Sequence, residues 1–358
     1  MHNTSIKYIL IADLTVFMVE YSLKRAVWEL TLRCNAGCLH CGSAAGKRRN
    51  RELTSGEAFS LIEQLAALGC ERVTLSGGEP TLRQDWFDIV AKIKESGMDA
   101  GLITNALQPE GVIKKLGKLQ PLFTAVSLDG DRETHDYLRG VRGAYDKALT
   151  FLKDLKANDL VSCAITSVNH RNVAELEELR NAVFIYRADA WQLQIASPMG
   201  RMQEHAELIL TPEDYIRLAE FIAESRELLP HVNVQAADCI GYYGSLDYRL
   251  RDSPWKGCQA GLIGIGIESN GDIKGCLSLQ DSRYVEANIR QKALAEIWRN
   301  PEGFQYNRDF SLQSLPELCH ACEYGMECRG GCKSNTFAFE DSRLSPYCLH
   351  RFEKQRGV

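Results

Sequence analysis

Nowhere does this chain carry an apolar run long enough to cross a bilayer. The nearest approach, Tyr8 to Met18, is interrupted by Asp13 and falls well short of the roughly 20 residues a spanning helix needs. No small-residue cleavage site follows it, so it does not read as a signal peptide. The simpler expectations for residues 1–20 are an extra strand, or a true start further along at Met18. The chain also lacks a strong charge of either sign. A net charge of −5 over 358 residues gives no electrostatic case for nucleic acid or an anionic membrane as the main partner.

What is there is ordinary for a globular protein, 45% hydrophobic and 25% charged, at a length that suits one large domain or two. The exception is cysteine. There are 13, an odd number, and they are clustered. Without a secretory signal, ligation to metal in a reducing cytosol explains them better than disulfides, and a cytoplasmic location is expected.

The first cluster is Cys34-Asn35-Ala36-Gly37-Cys38-Leu39-His40-Cys41, a C-x3-C-x2-C array within eight residues. Three thiolates on so short a loop can hold three irons of a [4Fe–4S] cube and leave the fourth iron open. A structural zinc site wants four closed ligands, and His40 is the only other candidate nearby. Upstream, Arg25 to Leu32 alternates as a strand does, so the cysteines leave the C-terminal end of a first strand. A second strand, Arg72 to Ser76, runs into Gly77-Gly78-Glu79-Pro80.

Between and beyond these motifs, strand and helix alternate. Lys47 to Arg51 reads as a solvated basic loop. Thr54-Ser55-Gly56-Glu57 is a capping box opening a helix to about Leu68, which Gly69 stops. Helix 84–96, strand 98–103 ending at Thr104-Asn105, helix 109–119, and strand 122–128 ending in Ser127-Leu128-Asp129-Gly130 follow. A helix near 144–157 leads to strand 160–168 and Asn169, and Asn172 caps a helix to about Arg187. Strand 191–196 ends near Ser197 to Arg201. Thr211 with Pro212 at the first helical position opens a helix to about Leu229. Six strand–helix units imply a parallel sheet with right-handed crossovers. The Cys34–Cys41 loop, Gly77 to Pro80, Asn105, Ser127 and Asn169 all fall at C-terminal strand ends, where barrels of this kind do chemistry.

The C-terminal hundred residues repeat the metal signal. Cys258-x12-Gly271-x4-Cys276 is followed by Cys319-x2-Cys322-x5-Cys328-x3-Cys332 and Cys348. Ser269-Asn270-Gly271-Asp272 is a tight turn between short strands, which places Cys258 and Cys276 around a hairpin. Zinc and iron–sulfur clusters both suit such spacings. Cys70 and Cys163 read as buried small hydrophobes.

Together, the cysteine array with its Gly-Gly-Glu loop resembles the radical S-adenosylmethionine enzymes, and the C-terminal cysteines resemble their SPASM extension. His40 stands where the family usually has an aromatic residue. The resemblance covers about residues 24 to 350. It implies an α/β fold, a partial (β/α)6 TIM barrel followed by an α+β SPASM domain binding auxiliary Fe–S clusters. The expected divisions are an extension at 1–20, barrel at 21–230, linker at 231–257 and SPASM domain at 258–358. By resemblance, Cys34, Cys38 and Cys41 hold the radical [4Fe–4S] cluster, and S-adenosylmethionine chelates its open iron. One electron then breaks the S–C5′ bond, giving a 5′-deoxyadenosyl radical that takes a hydrogen atom from the substrate. Gly77, Gly78, Glu79 and Pro80 form the loop at the methionine amino group. Asn105 and Ser127 are ribose or carboxylate contacts, and Arg139 pairs with the methionine carboxylate. Cys258, Cys276 and Cys332 hold a first auxiliary cluster, and Cys319, Cys322, Cys328 and Cys348 a second. No cysteine falls between Ala260 and Gly266, where several relatives place a fourth ligand to the first. That iron is therefore open, held by a non-cysteine group, or held by Cys239; a smaller cluster is a further option.

SPASM enzymes mostly modify peptides or proteins. The expected substrate is a ribosomally made precursor peptide, bound as an added strand along the Gly264–Cys276 hairpin edge. A small separate leader-binding protein and an external electron donor of flavodoxin or ferredoxin type are the expected partners. Only 33 residues precede Cys34, too few for a winged-helix leader domain. Leu277 stands directly after Cys276, where anaerobic sulfatase maturases have Asp, which argues against that branch. The alternative is a small-molecule dehydrogenase or heme-pathway enzyme.

Overall fold

Four two-residue strands precede the main fold. β1 (Ile6–Lys7) pairs antiparallel with β4 (Met18–Val19), and β2 (Leu10–Ile11) with β3 (Leu14–Thr15). None joins the large sheet. Apart from these strands, the computed structural model describes residues 21–107, 111–315, 317–339 and 347–356.

The large sheet begins with β5 (Arg25–Thr31), β6 (Arg72–Gly77), β7 (Asp99–Thr104), β8 (Phe123–Ser127), β9 (Ser162–Val168), β10 (Ala190–Ile195) and β11 (Asn233–Ala236). Each is parallel to the next. Helices α1 (Ser55–Ala67), α2 (Trp86–Glu95), α3 (Val112–Leu119), α5 (Ala144–Ala157), α6 (Leu176–Ile185) and α7 (Pro212–Leu228) alternate with them, and α4 (Arg132–Arg139) is inserted after β8. The helices begin where their caps dictate. Thr54 and Glu57 close a reciprocal capping box on α1, and Thr211 and Asp214 do the same on α7, with Pro212 in the first turn. Their apolar stripes, such as Ala58, Leu61, Ile62 and Leu65 on α1, pack on the outward-facing strand residues Trp28, Val73, Leu75, Leu102 and Trp191. Each such large side chain contributes roughly 1.5–3 kcal/mol by leaving water. The alternate strand positions face the concave side. Thr74, Ser76, Ser167, Gln192 and Gln194 are half-buried there, Gln194 donating to Ser167 Oγ at 2.9 Å.

The expected α/β partial barrel with a C-terminal SPASM domain is therefore what forms, open rather than closed. Four details differ from the sequence reading. Residues 231–257 are more than a linker, because 233–236 form a seventh parallel strand. Asn172 caps no helix; its amide donates to the carbonyls of Asp129 (2.7 Å) and Ser167 (3.1 Å), and α6 starts later, after a 3-10 turn at Val173–Glu175. The basic loop is not wholly solvated. Arg49 pairs with Glu29 at 2.6 Å and reaches Glu268 at 3.4 Å. Finally, the hairpin offers no free edge to a peptide. Its first strand, β12 (Gly264–Ile267), pairs parallel with β5, and its second, β13 (Asp272–Lys274), pairs with β14 (Ala287–Asn288). Glu29, Arg49, Glu268 and Lys274 lock that junction, with Lys274 Nζ 2.7 Å from Glu268 and Ser269 Oγ 2.7 Å from Glu29.

The remainder is short helices: α8 (Asp247–Leu250), α9 (Leu294–Arg299), α10 (Gln305–Arg308), α11 (Glu317–His320), α12 (Gly325–Cys328), α13 (Lys333–Ala338) and α14 (Leu349–Arg356).

Candidate active site and auxiliary cysteine sites

The Cys34–Cys41 loop leaves β5 and is clamped from three sides. Cys34 N–H donates to Gly46 O at 3.0 Å. Gly37 and Leu39 donate to the carbonyls of Arg139 (3.1 Å) and Leu138 (2.9 Å) at the end of α4. Arg201, beyond β10, donates from Nε to Cys38 O and from Nη2 to Ala45 O, both at 2.8 Å. The loop is thus braced by several protein contacts. Each sulfur faces one N–H donor: Asn105 Nδ2 to Cys34 at 3.6 Å, Arg139 Nη1 to Cys38 at 3.7 Å, and Ala45 N to Cys41 at 3.3 Å. Burial pushes the Cys34 and Cys38 thiols up, and the neighbouring cysteines add to this; Arg139 opposes it at Cys38. Such a site favours thiolates once a cationic metal supplies compensating charge.

The Gly-Gly-Glu loop crosses the chain at the exit of β5. Gly77 has φ +129°, and a Cβ there would lie 2.4 Å from Thr31 O; a Cβ on Gly78 would lie 2.2 Å from Arg33 O. Only glycine permits this crossing. The Glu79 carboxylate does not reach outward. It accepts from Asn105 N–H (2.8 Å), Thr104 Oγ1 (3.0 Å) and Thr81 Oγ1 (2.7 Å), tying the ends of β6 and β7 together. Burial raises its pKa, and these donors pull it back. Pro80 opens a short 3-10 turn behind it. Asn105 is held through Nδ2 to Asn35 Oδ1 at 2.8 Å, and Ser127 sits buried at the tip of β8.

Opposite the cysteines lies a buried charge network centred on Asp129, which the sequence reading named only as part of a strand end. Its carboxylate is paired with Arg139 Nη2, lies 3.1 Å from His40 Nε2, and accepts from Ser167 N–H at 2.8 Å. Burial alone would raise this carboxyl; Arg139 and His40 hold it well below its ordinary range. Burial lowers His135 to about 4, with Arg139 adding to the effect, and its neutral Nδ1 accepts from Asp129 N–H at 3.0 Å. Three buried nitrogens around this network, His40 Nδ1, His135 Nε2 and Arg139 Nε, have no partner among the described residues. A polar ligand completing the site would supply them. Arg139, expected to take a ligand carboxylate, is instead committed through both terminal nitrogens. Arg201 was the other residue overlooked, although it stood in the segment after the sixth strand.

The C-terminal cysteines gather in two places. Cys319, Cys322, Cys328 and Cys348 all line one cavity of about 320 Å³, with Tyr242, Tyr243 and Tyr324 on its wall. Burial pushes Cys328 up to about 12, with Cys348 next among the causes. In the other set, burial pushes Cys258 up to about 12, followed by the charge of Cys332 and, more weakly, Cys276. Cys239, half-buried just beyond β11, is likewise pushed up to about 12 by desolvation, again with Cys332 as its leading charged neighbour. Its sulfur accepts from Ile195 N–H at 3.3 Å. Among the described residues, no three His, Cys, Asp or Glu side chains stand close enough to share a single ion. A mononuclear zinc site requires that; thiolates serving different irons of a cluster do not. Cys70 is buried as expected, its Sγ 3.4 Å from Arg72 O, and Cys163 is half-buried in β9.

Comparison with known proteins places this geometry. Residues 28–183 match the radical SAM superfamily, and residues 258–323 match SPASM, an iron–sulfur cluster-binding domain. An AdoMet-dependent heme synthase from Methanosarcina barkeri is 32% identical over 342 residues, covering 90% of this chain and 95% of that protein. The chain belongs to the radical SAM superfamily. Mycofactocin maturase MftC of Mycobacterium tuberculosis is 28% identical, covering 87% of this chain and 78% of MftC. In fold, the radical SAM chain resembles Streptococcus suis SuiB bound to S-adenosylmethionine (TM-score 0.73, 19% identity, covering 91% of this chain and 76% of SuiB). It also resembles anSMEcpe with bound AdoMet and a peptide (TM-score 0.69, 18% identity, covering 93% and 94%). The radical SAM domain binds a [4Fe–4S] cluster and S-adenosylmethionine, and the SPASM domain binds auxiliary Fe–S clusters. The three thiols of one short loop, the glycine crossing and the buried nitrogens without a partner among the described residues suit the first pair of groups; the cysteine-lined cavity suits an auxiliary cluster.

Proposed function

We infer that this radical SAM enzyme abstracts a hydrogen atom from a ribosomally made precursor peptide and so installs a post-translational modification, as a crosslink or an oxidation. The observation that carries this reading is the concave wall of the barrel. Its upper positions include the hydroxyls and amides of Thr74, Ser76, Ser127, Ser167, Gln192 and Gln194, and the acid in register with Ser76, Glu29, is neutralised by its pairing with Arg49. Such a wall can exchange hydrogen bonds with peptide groups along an extended chain. A tetrapyrrole, with its several carboxylates, calls for cations, and the nearby ones are already paired: Arg139 with Asp129, Arg49 with Glu29, Lys274 with Glu268.

In this reading, Cys34, Cys38 and Cys41 ligate the radical cluster. Gly77, Gly78, Glu79 and Pro80 shape the backbone against which S-adenosylmethionine lies, with Asn105, Ser127, Arg139 and His40 around it. When bound, cluster and S-adenosylmethionine together supply a one-electron reductive cleavage that yields a hydrogen-abstracting carbon radical. Asn105 fixes Cys34 and joins it to the Glu79 knot. Arg201 holds the loop to the barrel rim, and the Asp129 network keeps water from the buried side of Cys38. Cys258, Cys276, Cys332 and Cys239 hold the first auxiliary cluster; Cys319, Cys322, Cys328 and Cys348 hold the second. An electron donor of flavodoxin or ferredoxin type and a separate leader-binding protein complete the system.

The identity to a heme synthase over 95% of that protein supports a second reading, a heme-pathway activity. One experiment separates them. The reconstituted enzyme is incubated anaerobically with S-adenosylmethionine, reductant and either a short peptide encoded beside its gene or Fe-coproporphyrin III. A mass change in the peptide alone supports the first reading; a change in the porphyrin alone overturns it.

A further inference from the structure

We propose that Arg139 and Asp129 act as an electrostatic pair that sets the reduction potential of the cluster held by Cys34, Cys38 and Cys41, with His40 holding Asp129 in place. The proposal rests on the reading of those three cysteines as cluster ligands.

The arrangement is directional. Arg139 closes α4, and Gly140 ends the helix in a left-handed conformation. The carbonyls of Leu138 and Arg139 hold the cysteine loop through Leu39 and Gly37, so helix end and loop form one body. From there the guanidinium points one terminal nitrogen at Cys38 Sγ (3.7 Å) and the other at Asp129. The positive charge therefore touches the sulfur, and the negative charge stands one guanidinium further away. Asp129 is fully buried and cannot swing toward the thiols. His40 Nε2 and Ser167 N–H fix its carboxylate, while His135 and Asn172 Nδ2 (2.7 Å) fix its backbone.

Reducing a [4Fe–4S] cluster adds one electron, from an external one-electron donor, and no proton. The added negative charge is stabilised by a cation beside a ligating sulfur and destabilised by an anion nearby, and screening is weak where both are buried. Hydrogen bonding to the sulfur acts in the same direction as the cation. Arg139 thus favours the reduced cluster, and Asp129 opposes it while keeping the guanidinium aimed. A pair that merely fastened α4 to β8 would affect folding, but would not move the potential in opposite directions on removal of its two members.

The test is an anaerobic redox titration of the full-length reconstituted enzyme followed by electron paramagnetic resonance. The radical cluster is recognised as the component whose signal changes on adding S-adenosylmethionine, which separates it from the auxiliary clusters. Arg139→Gln should shift its midpoint to a more negative potential, Asp129→Asn to a more positive one, and Arg139→Lys should stay near wild type. His40→Phe, which frees and uncovers the carboxylate that His40 holds, should move it in the same direction as Arg139→Gln, by less. Midpoints that do not move, or move together in Arg139→Gln and Asp129→Asn, overturn the proposal. If Arg139→Gln fails to assemble, Asp129→Asn decides alone: an unchanged or more negative midpoint overturns it. A wild-type enzyme with no S-adenosylmethionine-responsive cluster would instead contradict the assignment of the three cysteines.

Discussion

In the loop from Cys34 to Cys41 each sulfur faces an N–H donor, two of them from other parts of the barrel and one from Ala45 just past Cys41, and the loop's backbone is pinned by α4, Gly46 and Arg201. Around residues 317–348 the cysteines instead sit on or beside four-residue helices, α11 and α12, and line a cavity of about 320 Å³. Helices that short have no stability of their own. The comparison teaches where metal does structural work. The barrel braces its loop through these contacts, so the cluster there is expected to add chiefly reactivity. At the SPASM end the described contacts that hold the cysteines are fewer and more local, such as Trp255 Nε1 donating to Cys328 O at 3.0 Å and Tyr243 stacked on Tyr324 at 4.5 Å, so the cluster there is expected to contribute folding free energy.

The sharpest way to break this contrast is to empty each site in turn. Replacing Cys34, Cys38 and Cys41 together by Ala should abolish reductive cleavage of S-adenosylmethionine, read as 5′-deoxyadenosine. The barrel's unfolding free energy should change by less than about 1 kcal/mol, because the substitutions lie in a loop outside the core. Unfolding of that variant at markedly lower denaturant would contradict a loop braced by the barrel. Replacing Cys319, Cys322, Cys328 and Cys348 by Ala should have the reverse balance. Limited proteolysis should cut beyond about residue 310 while the barrel fragment survives, and iron content should fall by one cluster. Equal resistance with and without that cluster would show that the SPASM end folds without metal.

A smaller effect is expected at Cys239. Its Ala variant should keep the radical cluster and its 5′-deoxyadenosine production competence, but alter the resonance signal of the auxiliary clusters. An unchanged spectrum would leave the fourth position of the first auxiliary site to a group other than this thiol.

The smallest effect concerns the tie between the two regions. Arg290, beyond β14, holds the Glu57 carboxylate at the start of α1 and also donates to Asn270 O at 2.9 Å. The hydrogen bond from Arg290 lowers Glu57 from 4.5 to about 2, with the Thr54 backbone assisting. A depressed carboxyl stabilises the fold above its unfolded pKa and loses that contribution as pH falls through its folded one. Glu57→Gln should therefore cost a few tenths of a kcal/mol near neutral pH, since the pair is solvent-screened. The difference from wild type should fade between about pH 4.5 and 2 in urea titrations; a difference constant across that window would contradict the pairing.

The features legible in sequence were those written in local spacing: both cysteine arrays, the Gly-Gly-Glu loop, the capping box at Thr54 and the helix start at Thr211, and the alternation that gives a parallel sheet. Those that were not depend on convergence in space. Asp129 looks like any acidic residue at a strand end until His40 and Arg139 arrive from two other segments. β11 has a single fully buried residue, Val234, in four, so no periodicity betrays it. Asn172 has the composition of a cap, but its amide is used between β8 and β9. Arg49 sits in a run of basic residues, and only the folded hairpin brings Glu268 beside it.

The central claim is that the cluster loop acts on a peptide lying along the neutral wall of the barrel. It is tested most directly by label transfer. A precursor peptide prepared fully deuterated is incubated anaerobically with the enzyme, reductant and unlabelled S-adenosylmethionine, and the 5′-deoxyadenosine formed is examined by mass spectrometry. Deuterium in that product, absent when Cys34, Cys38 and Cys41 are replaced, is the expected result. Unlabelled 5′-deoxyadenosine from the deuterated peptide, with label arriving only from deuterated Fe-coproporphyrin III, would contradict it.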